Sequence, residues 1–150
     1  MNARADLYKP LRARGLLVQI AIVVAAEALL FHLYRVDESD FHWAIHFLVG
    51  VTAAAIWNVA WLPSGRPAPG MLLWILPFHL LAMTPDLLYK AFDVPHAEWM
   101  EVFLAHISVH YLPGRVAAWL VIALGAWWAY ATLLALWLRE RARDAEVASI

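Results

Sequence analysis

Four long apolar runs are the feature that most restricts the fold of this 150-residue chain. They cover residues 15–36, 41–62, 70–92 and 114–138. Each run is long enough for an α-helix to cross a hydrocarbon core of ~30 Å. The chain has 15% charged residues, whereas a soluble domain carries roughly a quarter. The sequence therefore predicts an all-α polytopic membrane protein, with one integral membrane domain over 1–150 and four transmembrane helices.

Lysine and arginine are unevenly divided between the two sides that four crossings would create. The side with both termini and the loop near residue 66 has eight of them, namely Arg4, Lys9, Arg12, Arg14, Arg66, Arg139, Arg141 and Arg143. The other side has three, namely Arg35, Lys90 and Arg115. Because cytoplasmic loops carry the excess of positive charge, we expect both termini in the cytoplasm and the protein in the cytoplasmic (inner) membrane.

A shorter segment, 97–112, lies between the third and fourth runs. Its 16 residues would extend only ~24 Å as an α-helix, and they include two carboxylates and two histidines. A crossing here would also place the basic stretch RERAR outside, against the charge bias. We expect an interfacial or re-entrant helix on the outer side over about 97–112, which begins near Pro95 and ends at Pro113-Gly114.

This topology brings most of the histidines, and one intramembrane carboxylate, to a single layer near the outer surface. The layer would contain His32, His42, His46, His96, His106, His110 and Asp86. Two histidine pairs have HxxxH spacing, which places both rings on one helix face and suits chelation of an ion. Interfacial histidines also bond to backbone groups or lipid headgroups, so such a pair alone does not identify a metal site.

Asp86 is a stronger indication of a site, because a carboxylate inside a spanning helix costs several kcal/mol unless it is paired or metal-bound. The preceding Pro85 removes a helical N–H donor and frees the carbonyl of Leu81. The Pro-Asp pair is also compatible with a simple kink that turns the carboxylate toward lipid headgroups.

Nitrogen and oxygen donors in a chain without cysteine indicate Zn²⁺, with Mn²⁺ or Fe²⁺ as alternatives. The expected metal ligands are His46, Asp86, His106 and His110, with His42 and His96 as second choices. A catalytic zinc ion keeps three protein ligands and one position open for water. Glu98 and Glu101 are the candidate catalytic residues, as proton carriers, although they would also serve as the wet face of an amphipathic helix.

Three short motifs resemble those of small bacterial and archaeal membrane-bound metal-dependent hydrolases, the YdjM-like group. They are HFLVG (His46–Gly50), Pro85-Asp86 and HISVH (His106–His110). The chain lacks the Arg-Gly pair that follows the first late histidine in that group. The resemblance implies metal-site roles for His46, Asp86, His106 and His110, and it implies hydrolase activity.

Two functions from different classes are compatible with these residues. The first is a metal-dependent hydrolase acting on a lipid or lipid-linked substrate at the outer face of the cytoplasmic membrane. The alternative is a non-enzymatic metal-binding or accessory subunit of a larger membrane complex. Haem ligation is a third possibility, for which only His79 is deep enough. The expected partners are the lipid bilayer, a lipid-like substrate and a second copy or a complex subunit, and no patch suited to nucleic acid is present.

Overall fold

The computed structural model describes residues 11–34, 40–111, 113 and 115–147, and it confirms the all-α class. The α-helices are α1 (Ala13–Tyr34), α2 (Asp40–Trp61), α3 (Ile75–Phe92) and α4 (Arg115–Val147). Three short 3-10 helices cover Leu62–Ser64, Glu98–Val102 and Ser108–Tyr111. The described ranges contain no β-strand.

Three segments of the described chain are long and apolar enough to cross a membrane. They are Ala13–Leu33, His42–Ser64 and Val116–Asp144. The third apolar run, expected to cross as 70–92, is not among them. It forms the shorter helix α3 because Pro67, Pro69 and Gly70 (φ 62°) hold the preceding chain in turns, and proline cannot donate to a helical ladder. The length and composition of the three segments are consistent with a membrane location.

Helix α2 is the centre of the fold, since it packs against both α3 and α4. Its approach to α3 is close at Gly50, where an added Cβ would lie 2.6 Å from the backbone nitrogen of His79. On the α4 side, the Trp127 indole donates to the carbonyl of Val51 at 2.9 Å. Small residues at such crossings allow helix backbones to approach in a membrane.

Helix α1 lies at the edge of the fold and is mostly exposed. Among its described side chains only Val23 and Glu27 are buried. Gln19 accepts a hydrogen bond from the backbone N–H of Leu72 at 3.0 Å. The outward positions include Leu17, Val24 and Leu29, so the free faces of α1 have the composition that lipid requires.

The segment expected to form one helix over 97–112 is instead two 3-10 helices joined by turns. Leu104 (φ 55°) and Ala105 (φ 57°) take left-handed backbone conformations that interrupt any α-helix. Glu101 closes the turn, because its Oε1 accepts hydrogen bonds from the backbone N–H and the hydroxyl of Ser108, at 2.9 and 2.8 Å. The break turns His106 inward, where it is 2% exposed.

Candidate metal centre

Asp86 is buried, with 2% exposure, at the centre of a group of histidines. Its Oδ2 lies 3.1 Å from Nε2 of His42 and 3.1 Å from Nε2 of His46. Its Oδ1 lies 3.0 Å from Nε2 of His96 and 3.3 Å from Nε2 of His106. Each oxygen of this single carboxylate thus faces two imidazoles.

Two parts of the chain bring these imidazoles to α3. Helix α2 supplies His42 and His46 from successive turns of one face. Helix α3 ends at Phe92, where Asp93 (φ 53°) caps it through N–H contacts to the carbonyls of Leu88 and Tyr89. The chain then reverses, and the segment 96–111 returns along the site with the remaining three histidines.

The proton position on His106 follows from its contacts. Its Nδ1 lies 3.0 Å from the carbonyl oxygen of Ala82, and since a carbonyl can only accept, Nδ1 must donate. In the neutral ring Nε2 is then an acceptor, yet it faces the acceptor Oδ1 of Asp86. These two atoms need a proton or a metal cation between them. A histidine that donates through one nitrogen to a backbone carbonyl, and turns the other toward a cation, has the arrangement typical of metal ligands.

Two further histidines of this group, like His79 outside it, have buried nitrogens that lack hydrogen bonds within the described part of the chain. His46 is 0% exposed, and neither of its nitrogens has a hydrogen-bond partner, although Nε2 is close to Asp86. Nε2 of His110 is likewise buried without a partner. Leaving such a group unsatisfied costs about 1–3 kcal/mol. A bound cation would accept the one lone pair of each ring and remove that part of the cost, whereas the second nitrogen of His46 carries N–H.

His110 is held in the form that a ligand requires. Burial, followed by the nearby imidazoles of His42, His46 and His106, lowers the pKa of His110 to about 4. The ring is therefore neutral at pH 7, with a lone pair available for a cation.

The donor atoms fall into two overlapping sets with spacing suited to metal binding. In each set one donor atom per residue lies within 4.8 Å of all the others. One set is His42, His46, His106 and His110, and the other is Asp86, His96 and His106. Donors bound at ~2.0–2.1 Å around a tetrahedral ion are roughly 3.3 Å apart, close to the separations between Asp86 and its histidines. The described chain can thus hold a metal ion here.

A cavity of about 290 Å³ opens beside the histidines. It is lined by His42, His96, His106, Ile107, His110 and Tyr111. The side chain of His96 is 38% exposed at its rim. A larger groove of about 470 Å³, near Leu62 and Trp137, is formed by the opposite end of α2 and contains no histidine. Of these two spaces, only the smaller one would admit a substrate to the histidines.

The structure brings the residues expected as ligands together, with a changed ranking. His46 and His106 contact Asp86 directly, as do the second choices His42 and His96. His110 is near the other rings instead, with its centroid 4.5 Å from that of His42. The HxxxH spacing predicted His110 as a ligand. The contact of His96 with Asp86 depends on the chain reversal after α3, and no local sequence pattern predicts it.

The two glutamates expected to carry protons do not line the cavity. Glu98 is exposed. Glu101 is engaged by Ser108 through Oε1, so its observed contacts are structural.

A second buried polar pair lies deeper in the fold, apart from the histidine group. His79 Nδ1 lies 2.8 Å from Oε2 of Glu27 and links α3 to α1. The rings of Trp43 and Phe47 meet the His79 ring edge-on. Nδ1 of His79 thus pairs with a carboxylate, while its Nε2 is buried beside apolar rings without a hydrogen bond in the described chain.

The assignment of the histidine group depends on its geometry. Its members are contributed by α2, α3 and the 96–111 segment, and they meet at one buried carboxylate with a cavity alongside. No protein-family model, no curated protein and no solved structure matches this chain.

Proposed function

We propose that the protein is a metal-dependent hydrolase that acts on a lipid or lipid-linked substrate at the membrane surface. The observation that carries the proposal is the contact between His106 Nε2 and Asp86 Oδ1 at 3.3 Å, two acceptors that require a cation. A proton would satisfy that contact alone. A metal ion would also bind one unpaired nitrogen of His46 and that of His110.

The donor chemistry favours Zn²⁺, with Mn²⁺ or Fe²⁺ as alternatives, because the ligands are imidazole and carboxylate without sulfur. Such an ion would polarise an ester, amide or phosphoester oxygen and lower the pKa of a bound water to ~7. Glu98 is exposed two residues after His96 but does not line the cavity, so as the proposed proton carrier it would act through an intervening water; Glu101 is the other candidate. The resemblance to the YdjM-like group supports the same class of reaction.

Lipid access is supported by a second, apolar groove between α1 and α3. It measures about 250 Å³ and is lined by Leu30, Leu33, Met83, Leu87 and Lys90. Four leucine and methionine side chains suit an acyl chain, and the lysine at one end suits an anionic headgroup. In the proposed topology of four crossings with cytoplasmic termini, this groove and the histidine group both lie toward the outer face.

The test combines metal analysis with hydrolysis in vesicles. The purified protein should contain Zn²⁺ and hydrolyse fluorogenic ester or phosphoester lipids in a reaction that chelation stops and Zn²⁺ restores. Asp86→Asn keeps the shape of the side chain but removes its charge, so metal affinity and hydrolysis should both fall by more than the ~10–100-fold that loss of a residue supporting a ligand costs. His32→Ala removes an exposed histidine of α1 and is the matched control, expected to behave as wild type.

Metal binding without hydrolysis of any such lipid would favour the alternative, an accessory metal-binding subunit of a membrane complex. One observation supports that reading. Four imidazoles, those of His42, His46, His106 and His110, lie close enough to enclose one ion completely. A zinc site closed by four protein ligands is structural, because no position remains for water.

A further inference from the structure

The histidine group has more donors than one catalytic ion can use. Five imidazoles and the two oxygens of Asp86 converge there. A catalytic zinc ion takes three protein ligands and keeps one position open. We infer that the centre binds two metal ions with Asp86 as the bridge between them, an inference that rests on the proposed metal centre.

The first ion would be held by the three imidazoles on the Oδ2 side of Asp86. Oδ2 is 3.1 Å from both His42 and His46. The ring of His110 completes the group, with centroids 4.5 Å from His42 and 5.1 Å from His46. These three residues are mutually within ligand spacing, and two of them present nitrogens that have no hydrogen bond in the described chain.

The second ion would be held on the Oδ1 side, by His96, His106 and Asp86 itself. These three residues form a complete ligand group of their own. The rings of His96 and His106 stack with centroids 5.2 Å apart. The hydrogen bond from His106 Nδ1 to Ala82 fixes the ring with Nε2 toward this position. Three protein ligands leave room for water on the side of the cavity.

Two ions resolve the conflict between donor number and an open site. A single ion bound by His42, His46, His106 and His110 would be closed, and it would leave His96 and Asp86 unused. If the donors are divided between two ions, each ion binds only some of them and every donor is a ligand. Carboxylate-bridged ion pairs of this kind stabilise both the attacking and the leaving oxygen in phosphoester hydrolysis.

The charge of such a centre selects the substrate class. Two divalent ions and one carboxylate leave a strongly cationic site at the wall of the cavity, and this favours an anionic phosphoester lipid over a neutral ester. In the reaction, the oxygen of water bonds to phosphorus, the bond from phosphorus to the lipid alkoxide breaks, and the alkoxide gains the proton that the water loses. The products are a lipid alcohol and a phosphate.

The test is the number of ions bound per chain, measured with Zn²⁺ by mass spectrometry of metal and protein in the same sample. Wild type should bind two. His96→Ala should lose the second ion only and His110→Ala the first only, so each should bind one, and His32→Ala should keep two. His96 is 38% exposed, so its removal leaves the core intact. Mn²⁺-loaded wild type provides a test without mutation, since two bridged ions give an exchange-coupled resonance spectrum.

One Zn²⁺ per wild-type chain, or uncoupled Mn²⁺ at full loading, would overturn the inference, and so would two ions in His96→Ala.

Vesicle hydrolysis separates this inference from the proposed function. One ion with hydrolysis leaves the hydrolase in place and refutes the second ion. Two ions without hydrolysis of any lipid support the dinuclear centre and count against the hydrolase. Preference for a phosphoester lipid over its neutral ester counterpart is the expected result, and the reverse preference would refute the substrate class.

Discussion

At the residue scale, the centre is defined by one carboxylate among imidazoles. Asp86 is almost fully buried and meets histidines from α2 and from the 96–111 segment. A buried carboxylate is stabilised there by the positive charge or the N–H groups around it. Removal of one ligand would leave the other members holding uncompensated charge in a partly dehydrated layer.

His110→Ala should therefore abolish activity, and His79→Ala should reduce it far less. The first change removes a neutral ligand at the cavity. The second removes a ring that pairs with Glu27 and contacts none of the other histidines in the described chain. Hydrolysis rate and bound metal, compared at matched protein folding, check this. If His110→Ala retains hydrolysis and His79→Ala loses it, the functional site lies at the deeper pair of Glu27 and His79.

Acid should release the metal. An imidazole must be neutral to ligate, and free imidazole side chains protonate near pH ~6.5, so protons compete with the ion as the pH falls. Burial lowers the pKa of His110 in the metal-free protein to about 4, so this ring is still neutral at pH 5. Metal content after dialysis at pH 7, 6 and 5 should drop steeply below ~6. Constant occupancy from pH 7 to 5 and also at pH 3, below the pKa of His110, would indicate that the histidines are not ligands.

At the scale of elements, the crossing of α2 and α3 sets the depth of the site. Gly50 lies one turn from His46 on α2, and it allows the backbone of α3 at His79 to pass close by. Because α3 also carries Asp86, two turns beyond His79, this contact determines how near the carboxylate comes to the histidines of α2.

Gly50→Ala should destabilise the protein by ~1–3 kcal/mol, as overpacking does in a close-packed interior. The new Cβ would meet backbone atoms 2.6 and 2.7 Å away, which cannot move without shifting α3. Gly125→Ala is the control, since its Cβ would meet nothing within 4 Å and alanine is the better helix former. Unfolding in detergent and Zn²⁺ affinity should both respond to the first change and not the second. Equal stability of the two variants would show that the crossing tolerates a wider separation.

At the scale of the whole molecule, the histidine group lies toward one end of the three long apolar segments and α3. His42 is in the first turn of α2, and Asp86 is in the last two turns of α3. The opposite end contains the arginine-rich end of α4, where Arg141 lies 5.4 Å above the ring of Trp137.

Reporter fusions should place the C-terminus in the cytoplasm and residues 93–97 outside. The expected reason is the excess of positive charge on the side of the termini. This result requires an even number of membrane crossings, so α3 must cross as well as the three longer segments. If a reporter fused after residue 147 is active only outside the cell, the orientation is the reverse of the expected one. The histidine group would then lie on the cytoplasmic side.

The sequence by itself determined the helical class, the approximate positions of the helices and the set of polar residues from which a site would be built. Each apolar helix satisfies its own backbone hydrogen bonds, so local hydropathy suffices to predict it. Only the tertiary structure decided that α3 begins at Ile75, that 97–112 breaks into two 3-10 helices, and that Glu101 binds Ser108. It also decided that His42 and His96 reach Asp86 while His110 lies farther out. These outcomes depend on contacts between segments distant along the chain, and on left-handed backbone at Leu104 and Ala105 that local preference disfavours.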